Sequence, residues 1–436
     1  MAPLLWLLLL ATPPADEPII DNTSRAKQLI EQLVAGKPQS VVEMFDETMR
    51  RALPAEKVDQ VWKETIAPYG AWQRIEKFRV EKSGQYEIVF VTCVFAEGKL
   101  DSKFVFSPDH RVAGWFLLPA SVYEQPAYVD PAQFDELACE VGRGTFLLTL
   151  PGTISLPKGT GPFPALLLVH GSGPHDRDET IGPNKPFRDL AHGLASRGIA
   201  VLRYEKRTKQ HPLAMALLPK LTVNEESIDD AVVAFDLLAR HPKVDPKRIF
   251  LLGHSLGGML IPRIAERQDK FAGFVSLAGS ARPLEDLVLE QSKYILGLDG
   301  WTEADEQKIE ELQRQVALVK SDKLTPQTSA RDLPLESVPA TYWLDLRDYH
   351  PAESAQRIKQ PLLILQGERD YQVTKNDYTL WQAALSKHAN VTLRSYPTLN
   401  HLFMSGEGKS RPSEYLRPGH IDKEVIVDVA NWIMTH

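Results

Sequence analysis

The chain has 436 residues, of which 43% are hydrophobic and 25% are charged, as is usual for a globular protein of more than one domain. Its 57 acidic residues outnumber its 50 basic ones, and the net charge of −7 excludes the strongly basic composition typical of nucleic-acid-binding proteins. With only two cysteines, the chain cannot depend on a disulfide framework.

The chain begins with a short apolar run. Residues 2–11 read APLLWLLLLA and are followed by TPPADE. The run is too short to cross a bilayer, but it fits the hydrophobic region of a secretory signal peptide. The usual basic residues before it are missing, so an apolar tail or a wrongly chosen start is the alternative. We expect residues 1–15 to be a signal peptide of a secreted or periplasmic protein, and we expect no stable membrane span.

Residues 24–118 are predicted to form a small α+β domain. Apolar residues recur at helical spacing from about residue 26, residue 41 and residue 54, and strand-like runs follow at 85–91, 103–106 and 112–118. No acid pair, histidine cluster or metal-ligand spacing occurs there, which favours a packing or interaction module. The Pro-rich residues 119–135 predict a linker. Cys93 and Cys139 could form one disulfide after export, although two buried thiols are the preferred interpretation.

From residue 136 to residue 436, short apolar runs alternate with helical patterns. This alternation predicts a mostly parallel sheet with helices on both faces. The expected strands are 144–150, 165–169, 200–204, 248–252, 274–277, 362–366 and 392–396, with helices at 187–197 and 224–239 among them. The basic residues within 205–209 predict a solvated loop, with substrate contact by Lys206 or Arg207 as the alternative.

Two segments of this region predict the groups that attack and polarise a substrate. The strand at 248–252 runs into Gly253-His254-Ser255-Leu256-Gly257 and then into a helical segment, which is the context in which G-x-S-x-G presents a nucleophilic serine. Ser255 is therefore the candidate nucleophile, and a helix-capping hydroxyl is the alternative. The strand at 165–169 opens into a Gly-rich loop, so the amides of Ser172 and Leu256 are the candidate oxyanion hole, with simple turn chemistry as the alternative.

The acid and the base are expected after later strands. Asp370 follows the strand at 362–366 and is the candidate that orients a histidine, with Glu368 in reserve. A turn aspartate is the alternative. His401 follows the strand at 392–396 and completes the chain order serine, acid, histidine. The weaker competitors for the role of base are His350, His388 and His420.

The interval 280–359 is too long for a single crossover between strands. Helical patterns at 284–298 and 303–320, the second with Thr302 as its N-cap, predict a helical cap over the site. Four aromatic residues there could line a substrate pocket, although packing within the cap is the preferred interpretation: Tyr294, Trp301, Tyr342 and Trp343.

Four motifs together resemble the α/β-hydrolase superfamily. They are HGSGPHDRD at 170–178, GHSLGG at 253–258, QGERDYQV at 366–373 and Asn-His at 400–401. More narrowly, residues 136–436 resemble secreted bacterial esterases of the EstD type, in the dienelactone hydrolase and prolyl-oligopeptidase-like group. Dienelactone hydrolases proper have a cysteine where this chain has Ser255, which speaks against that activity.

The resemblance implies hydrolysis of a small-molecule carboxylic ester by a Ser255–Asp370–His401 triad, with no metal and no cofactor. Residues 24–118 resemble, more loosely, a nuclear-transport-factor-like domain. A thioesterase or peptidase using the same triad is the alternative enzyme, and a non-catalytic binding protein on this scaffold is the alternative from another class. The oligomeric state is left open by the sequence.

Overall fold

The computed structural model describes residues 21–120, 123–142 and 148–436, which divide into two compact units between Ala120 and Ser121. The predicted signal peptide lies outside the described residues. None of the helices in the described part of the chain combines the length and the apolar character that a membrane span requires.

In the first unit, helices precede an antiparallel sheet, as the sequence predicts. The helices are α1 (Asn22–Val34), α2 (Pro38–Val42), α3 (Glu47–Ala52) and α4 (Ala55–Ile66). The sheet has the order β1-β2-β3-β4, formed by β1 (Trp72–Ser83), β2 (Tyr86–Phe95), β3 (Lys99–Phe106) and β4 (Val112–Pro119). Strand β1 was not predicted, because this edge strand is exposed along most of its length and lacks the alternation of apolar and polar residues.

The second unit is built on a mostly parallel sheet, which confirms the predicted α/β class. Its strands are β5 (Phe134–Val141), β6 (Leu150–Pro157), β7 (Phe163–Val169), β8 (Ala200–Tyr204), β9 (Val244–His254), β10 (Gly273–Leu277), β11 (Leu362–Gly367) and β12 (Val391–Tyr396). Their order across the sheet is β12-β11-β10-β9-β7-β8-β6-β5, with β5 and β6 antiparallel to their neighbours. The sequence predicted a strand at 144–150, but residues 143–147 lie outside the described part, and β6 begins at Leu150.

The apolar side chains of the central strands pack into two hydrophobic cores. Along β7, Leu167 and Val169 contact one core while Leu166 and Leu168 contact the other. Side chains alternate across a strand, so a strand covered on both faces must be apolar at every position. This burial explains why the sequence shows continuous runs there instead of alternation.

Helices cover both faces of this sheet and also fill the interval between β10 and β11. In chain order they are α5 (Pro186–Ala195), α6 (Arg207–Gln210), α7 (Pro212–Ala216), α8 (Asp229–Ala239), α9 (Leu256–Met259), α10 (Ile261–Arg267), α11 (Leu284–Leu296), α12 (Glu303–Val319), α13 (Ala340–Leu346), α14 (Pro351–Ala355), α15 (Lys375–Leu385) and α16 (Lys423–Thr435). The predicted cap helices correspond to α11 and α12, and Thr302 caps α12 through a reciprocal bond pattern with Asp305. A π-helical turn, Asn224–Ile228, precedes α8.

The predicted linker, residues 119–135, is largely part of the second unit, and its last two residues begin β5. The Tyr123 hydroxyl donates to Asp189 at 2.7 Å, and the Asp130 N–H donates to the Ser196 hydroxyl at 2.9 Å. Both cysteines are free thiols; Cys93 is buried and Cys139 is half-buried.

Candidate active site

Ser255 lies on the sharp turn between β9 and α9. Its backbone has φ 52° and ψ −115°, a conformation that costs a non-glycine residue about 1–3 kcal/mol. Two glycines permit the turn, because a Cβ at Gly253 would lie 2.2 Å from the Gly257 carbonyl oxygen, and one at Gly257 would lie 2.3 Å from the Val169 oxygen. The Ser255 N–H donates to the Leu277 carbonyl at 2.9 Å. The G-x-S-x-G segment therefore has the strand–turn–helix geometry that the sequence predicts.

Asp370 and His401, both buried, are in direct contact. The His401 Nδ1 lies 2.6 Å from the Asp370 Oδ2. The other carboxylate oxygen, Oδ1, accepts the N–H groups of Gln372 at 2.7 Å and Val373 at 3.0 Å. A carboxylate held in this way keeps the proton of a neutral imidazole on Nδ1 and leaves Nε2 free to accept another.

The loop that carries His401 is also attached to the serine turn. His254, which precedes Ser255, lies with its Nε2 3.1 Å from the His401 carbonyl oxygen, and the two imidazole rings are 4.8 Å apart. The structure thus brings Asp370 and His401 to the carboxyl end of β9, at the edge of the sheet where α/β proteins bind their ligands.

The two predicted oxyanion donors line one cavity together with Ser255. Ser172 follows β7 in the Gly-rich loop, and Leu256 begins α9. Within the described ranges, neither the Ser172 N–H nor the Leu256 N–H has a hydrogen-bond acceptor. Two backbone donors without partners, in residues that line one cavity, are suited to bind a developing negative charge.

A buried ion pair behind Ser255 was not predicted. The Glu179 Oε2 lies 2.9 Å from the His254 Nδ1, with an angle too poor for a good hydrogen bond, and the Glu179 Oε1 accepts the Gly171 N–H at 2.7 Å. Burial alone would raise the pKa of Glu179, but the nearby His254 outweighs it and holds that pKa at about 2. Burial alone would lower the pKa of His254, and Glu179 reverses this into a net increase.

This pair connects the oxyanion loop, the serine turn and, through His254, the His401 loop. The only sequence signal for it is an acidic residue, Glu179, placed directly after the HGSGPHDRD motif.

The cavity has a volume of about 750 Å³ and is lined mainly by apolar side chains. The lining side chains from the predicted cap belong to α11 and to residues 335–339, and further lining side chains belong to α7. Of the four aromatic residues proposed for this role, Tyr342 lines the cavity. Trp343 is buried within the cap, Trp301 is 49% exposed, and Tyr294 stacks on Tyr371.

The remaining candidates lie elsewhere. Glu368, the reserve acid, accepts hydrogen bonds from Ser395 and Lys375 at 2.8 Å each. Among the competing histidines, His420 pairs with Asp189. The prediction of a solvated basic loop is wrong, because Lys206 and Arg207 are 2% and 6% exposed. Both are paired with acidic side chains, which a sequence pattern cannot reveal.

Comparison with known proteins assigns both parts of the chain. Residues 26–115 match a family described as protein of unknown function (DUF3887), and residues 162–408 match the family described as serine aminopeptidase, S33. Esterase EstD of Thermotoga maritima is 40% identical over 412 residues, which cover 93% of each chain. The uncharacterized peptidase YtmA of Bacillus subtilis is 25% identical over 66% of this chain and 95% of its own.

Among solved structures, Est1E from Butyrivibrio proteoclasticus matches 69% of this chain and 99% of its own with a TM-score of 0.43 and 14% identity. The length of the family match and the extent of the similarity to the Thermotoga protein lead to one conclusion. The chain belongs to the serine aminopeptidase S33 family of α/β-hydrolases, and it is an enzyme of that family.

Proposed function

We propose that this hydrolase cleaves carboxylic esters through an acyl-enzyme formed on Ser255. The observation that carries the proposal is the buried contact of 2.6 Å between His401 and Asp370, on a loop attached to the strained serine turn. The 40% identity to Esterase EstD supports the ester as the substrate class.

In the proposed reaction, the Ser255 hydroxyl oxygen attacks the ester carbonyl carbon while His401 Nε2 takes the hydroxyl proton. The carbonyl electron pair moves to the oxygen, and the N–H groups of Ser172 and Leu256 stabilise the resulting oxyanion. His401 then gives its proton to the leaving alcohol, and the same residue later activates the water that releases the acid. Asp370 keeps the imidazole in the required tautomer and stabilises the imidazolium.

The cavity supports an ester with an apolar acyl group over a peptide with a free amino terminus. A substrate ammonium group is bound best by a carboxylate without a cationic partner, and the acidic residue among the described residues of the cavity lining is Glu226. Both of its oxygens are occupied, one by Lys206 and the other by the Tyr342 hydroxyl. The surrounding surface instead suits an apolar chain, whose burial contributes about 0.8 kcal/mol per methylene.

Replacement of Ser255 by alanine tests this proposal. We expect kcat for a p-nitrophenyl ester to fall by about 10⁶-fold, and we expect a fluorophosphonate probe to label the wild type but not the variant. Parallel assays with acyl-CoA thioesters and aminoacyl p-nitroanilides separate the thioesterase and peptidase alternatives. Undiminished ester hydrolysis by Ser255→Ala would refute the assignment.

We propose that residues 1–15 direct export and are then removed. Mass spectrometry of the exported protein should find an amino terminus near Asp16, and an exported protein that keeps residues 1–15 would contradict cleavage.

We also propose a nuclear-transport-factor-like fold for the first unit, which the order of helices before an antiparallel sheet supports.

A further inference from the structure

A buried ammonium group contacts the peptide unit that carries one of the oxyanion donors. The side chain of Lys206 is 2% exposed, and its Nζ donates to the Gly171 carbonyl oxygen at 2.7 Å. The carbonyl of Gly171 and the N–H of Ser172 belong to the same planar peptide group. Lys206 therefore acts on the opposite end of the dipole whose N–H is proposed to bind the oxyanion.

The ammonium is held in place by a network that reaches into the cap. The Lys206 Nζ lies 2.7 Å from the Glu226 Oε1, and the Glu226 Oε2 accepts from the Tyr342 hydroxyl. Glu226 belongs to the π-helical turn before α8, and Tyr342 to α13. A π-helical turn inside a helix often marks a functional site, and this one places a carboxylate in the cavity wall.

The preceding peptide unit is fixed by a charged group as well. The Gly171 N–H donates to Glu179, so both backbone groups of Gly171 are bound by buried ionised side chains. Burying an ion pair is costly, and apolar residues of similar size would often stabilise a protein as well. The two charges are thus better explained by what they do to the Gly171 backbone than by stability alone.

We propose that Lys206 is a positioning residue for the oxyanion hole. It fixes the orientation of the Gly171–Ser172 peptide and polarises it, which makes the Ser172 N–H a stronger donor as negative charge develops. Hydrogen bonds to charged groups are stronger than neutral ones, and linked hydrogen bonds polarise one another. The inference rests on the proposed function, because it concerns the oxyanion of the same reaction.

The main test is the double variant Lys206→Met/Glu226→Gln. Methionine keeps an unbranched apolar side chain without the charge, and glutamine avoids leaving a buried carboxylate unpaired. Lys206→Met alone is the second variant, in case the double variant does not fold. The matched control is Arg207→Met/Asp230→Asn, which removes the adjacent buried ion pair, whose Nε–Oδ2 distance is 3.0 Å. In the described part of the chain, Arg207 makes no hydrogen bond to the oxyanion loop.

The readouts are kcat and KM for p-nitrophenyl butanoate, the inhibition constant of a trifluoromethyl ketone, and the melting temperature. The ketone accepts the Ser255 oxygen at its carbonyl carbon, the serine proton passes to His401, and the carbonyl oxygen becomes an oxyanion. We expect kcat to fall about 10- to 100-fold, less than the 10²–10³ for complete loss of one donor. KM should change by less than about threefold, and the inhibition constant should rise by the same factor as kcat/KM falls.

The control should lower the melting temperature and leave kcat and the inhibition constant within about threefold of the wild type. A Lys206 variant that behaves like this control, or one that changes only KM, would overturn the positioning role. Ser255→Ala, assayed in parallel, distinguishes failure of the Lys206 role from failure of the proposed function. If Ser255→Ala is inactive while the folded Lys206 variants keep their kcat, only the role of Lys206 fails; if Ser255→Ala stays active, the proposed function itself fails.

Discussion

Replacement of Asp370 by asparagine should prevent His401 from acting as the base without displacing its imidazole. The Asp370 Oδ1 accepts N–H groups from Gln372 at 2.7 Å and Val373 at 3.0 Å, so an asparagine keeps these bonds only if its amide oxygen takes that position. Its NH₂ group then replaces Oδ2, which lies 2.6 Å from the His401 Nδ1. A donor at this position makes Nδ1 an acceptor and moves the imidazole proton to Nε2. The imidazole can then no longer accept the proton of Ser255.

The expected loss is about 10⁴-fold in kcat, as for a triad whose histidine is held in the wrong tautomer. That factor corresponds to about 5 kcal/mol of activation free energy. The assay is steady-state hydrolysis of a p-nitrophenyl ester at neutral pH, with circular dichroism as the check on folding.

The matched control for this prediction is Glu368→Gln. Glu368 lies in the same loop but is bonded to Ser395 and Lys375, so kcat should stay within about twofold of the wild type. The reasoning is refuted if folded Asp370→Asn keeps more than about a tenth of the wild-type kcat, or if Glu368→Gln shows the larger loss.

Three further predictions concern the cavity, the serine turn and the buried ion pair. Lengthening the acyl chain of the ester should raise kcat/KM by about fourfold per methylene while the chain fits the cavity. Leu287→Trp, at a residue of the cavity lining, should abolish this gain but leave hydrolysis of the acetate ester unchanged. Equal losses of kcat/KM for all chain lengths would contradict the cavity as the acyl site. Gly257→Ala should destabilise the fold by more than about 4 kcal/mol, since its Cβ would lie 2.3 Å from the Val169 oxygen, and a melting temperature like that of the wild type would disprove this. Because the pKa of Glu179 is lowered from its ordinary 4.5 to about 2, its pairing with His254 stabilises the fold above pH 4.5 and is lost as the pH falls toward 2. Glu179→Gln should therefore flatten that part of the stability profile measured by denaturant unfolding, and an unchanged slope would count against the pair.

The main features of the second unit could be predicted because their signals are local. A strand buried on both faces, such as β7 or β11, is a continuous apolar run, and its type can be inferred without knowledge of its neighbours. The turn at Ser255 requires glycines at fixed spacing, so it too is visible in the chain. Two of the edge strands gave no such signal: β1 and β5 are largely exposed, and charged residues lie at positions where alternation would place apolar ones.

Charged residues in the interior were the part that local patterns misrepresented. In sequence, Lys206 and Arg207 resemble a solvated loop, since nothing nearby indicates that Glu226 and Asp230 neutralise them. Glu179 and His254 are likewise separated by more than one strand and helix before they meet. Burial of such groups depends on partners supplied by distant parts of the chain.

The sequence by itself determined the class of the fold, the sharp turn at Ser255 and the order of the candidate groups, because each of these depends on residues close together in the chain. Only the tertiary structure decided which acid meets His401, how large a cavity the cap leaves over Ser255, and which ionised side chains surround Gly171. Those features depend on the topology of the sheet, which brings together residues from different loops, as far apart in the chain as His254 and His401. No periodicity within one segment records such contacts.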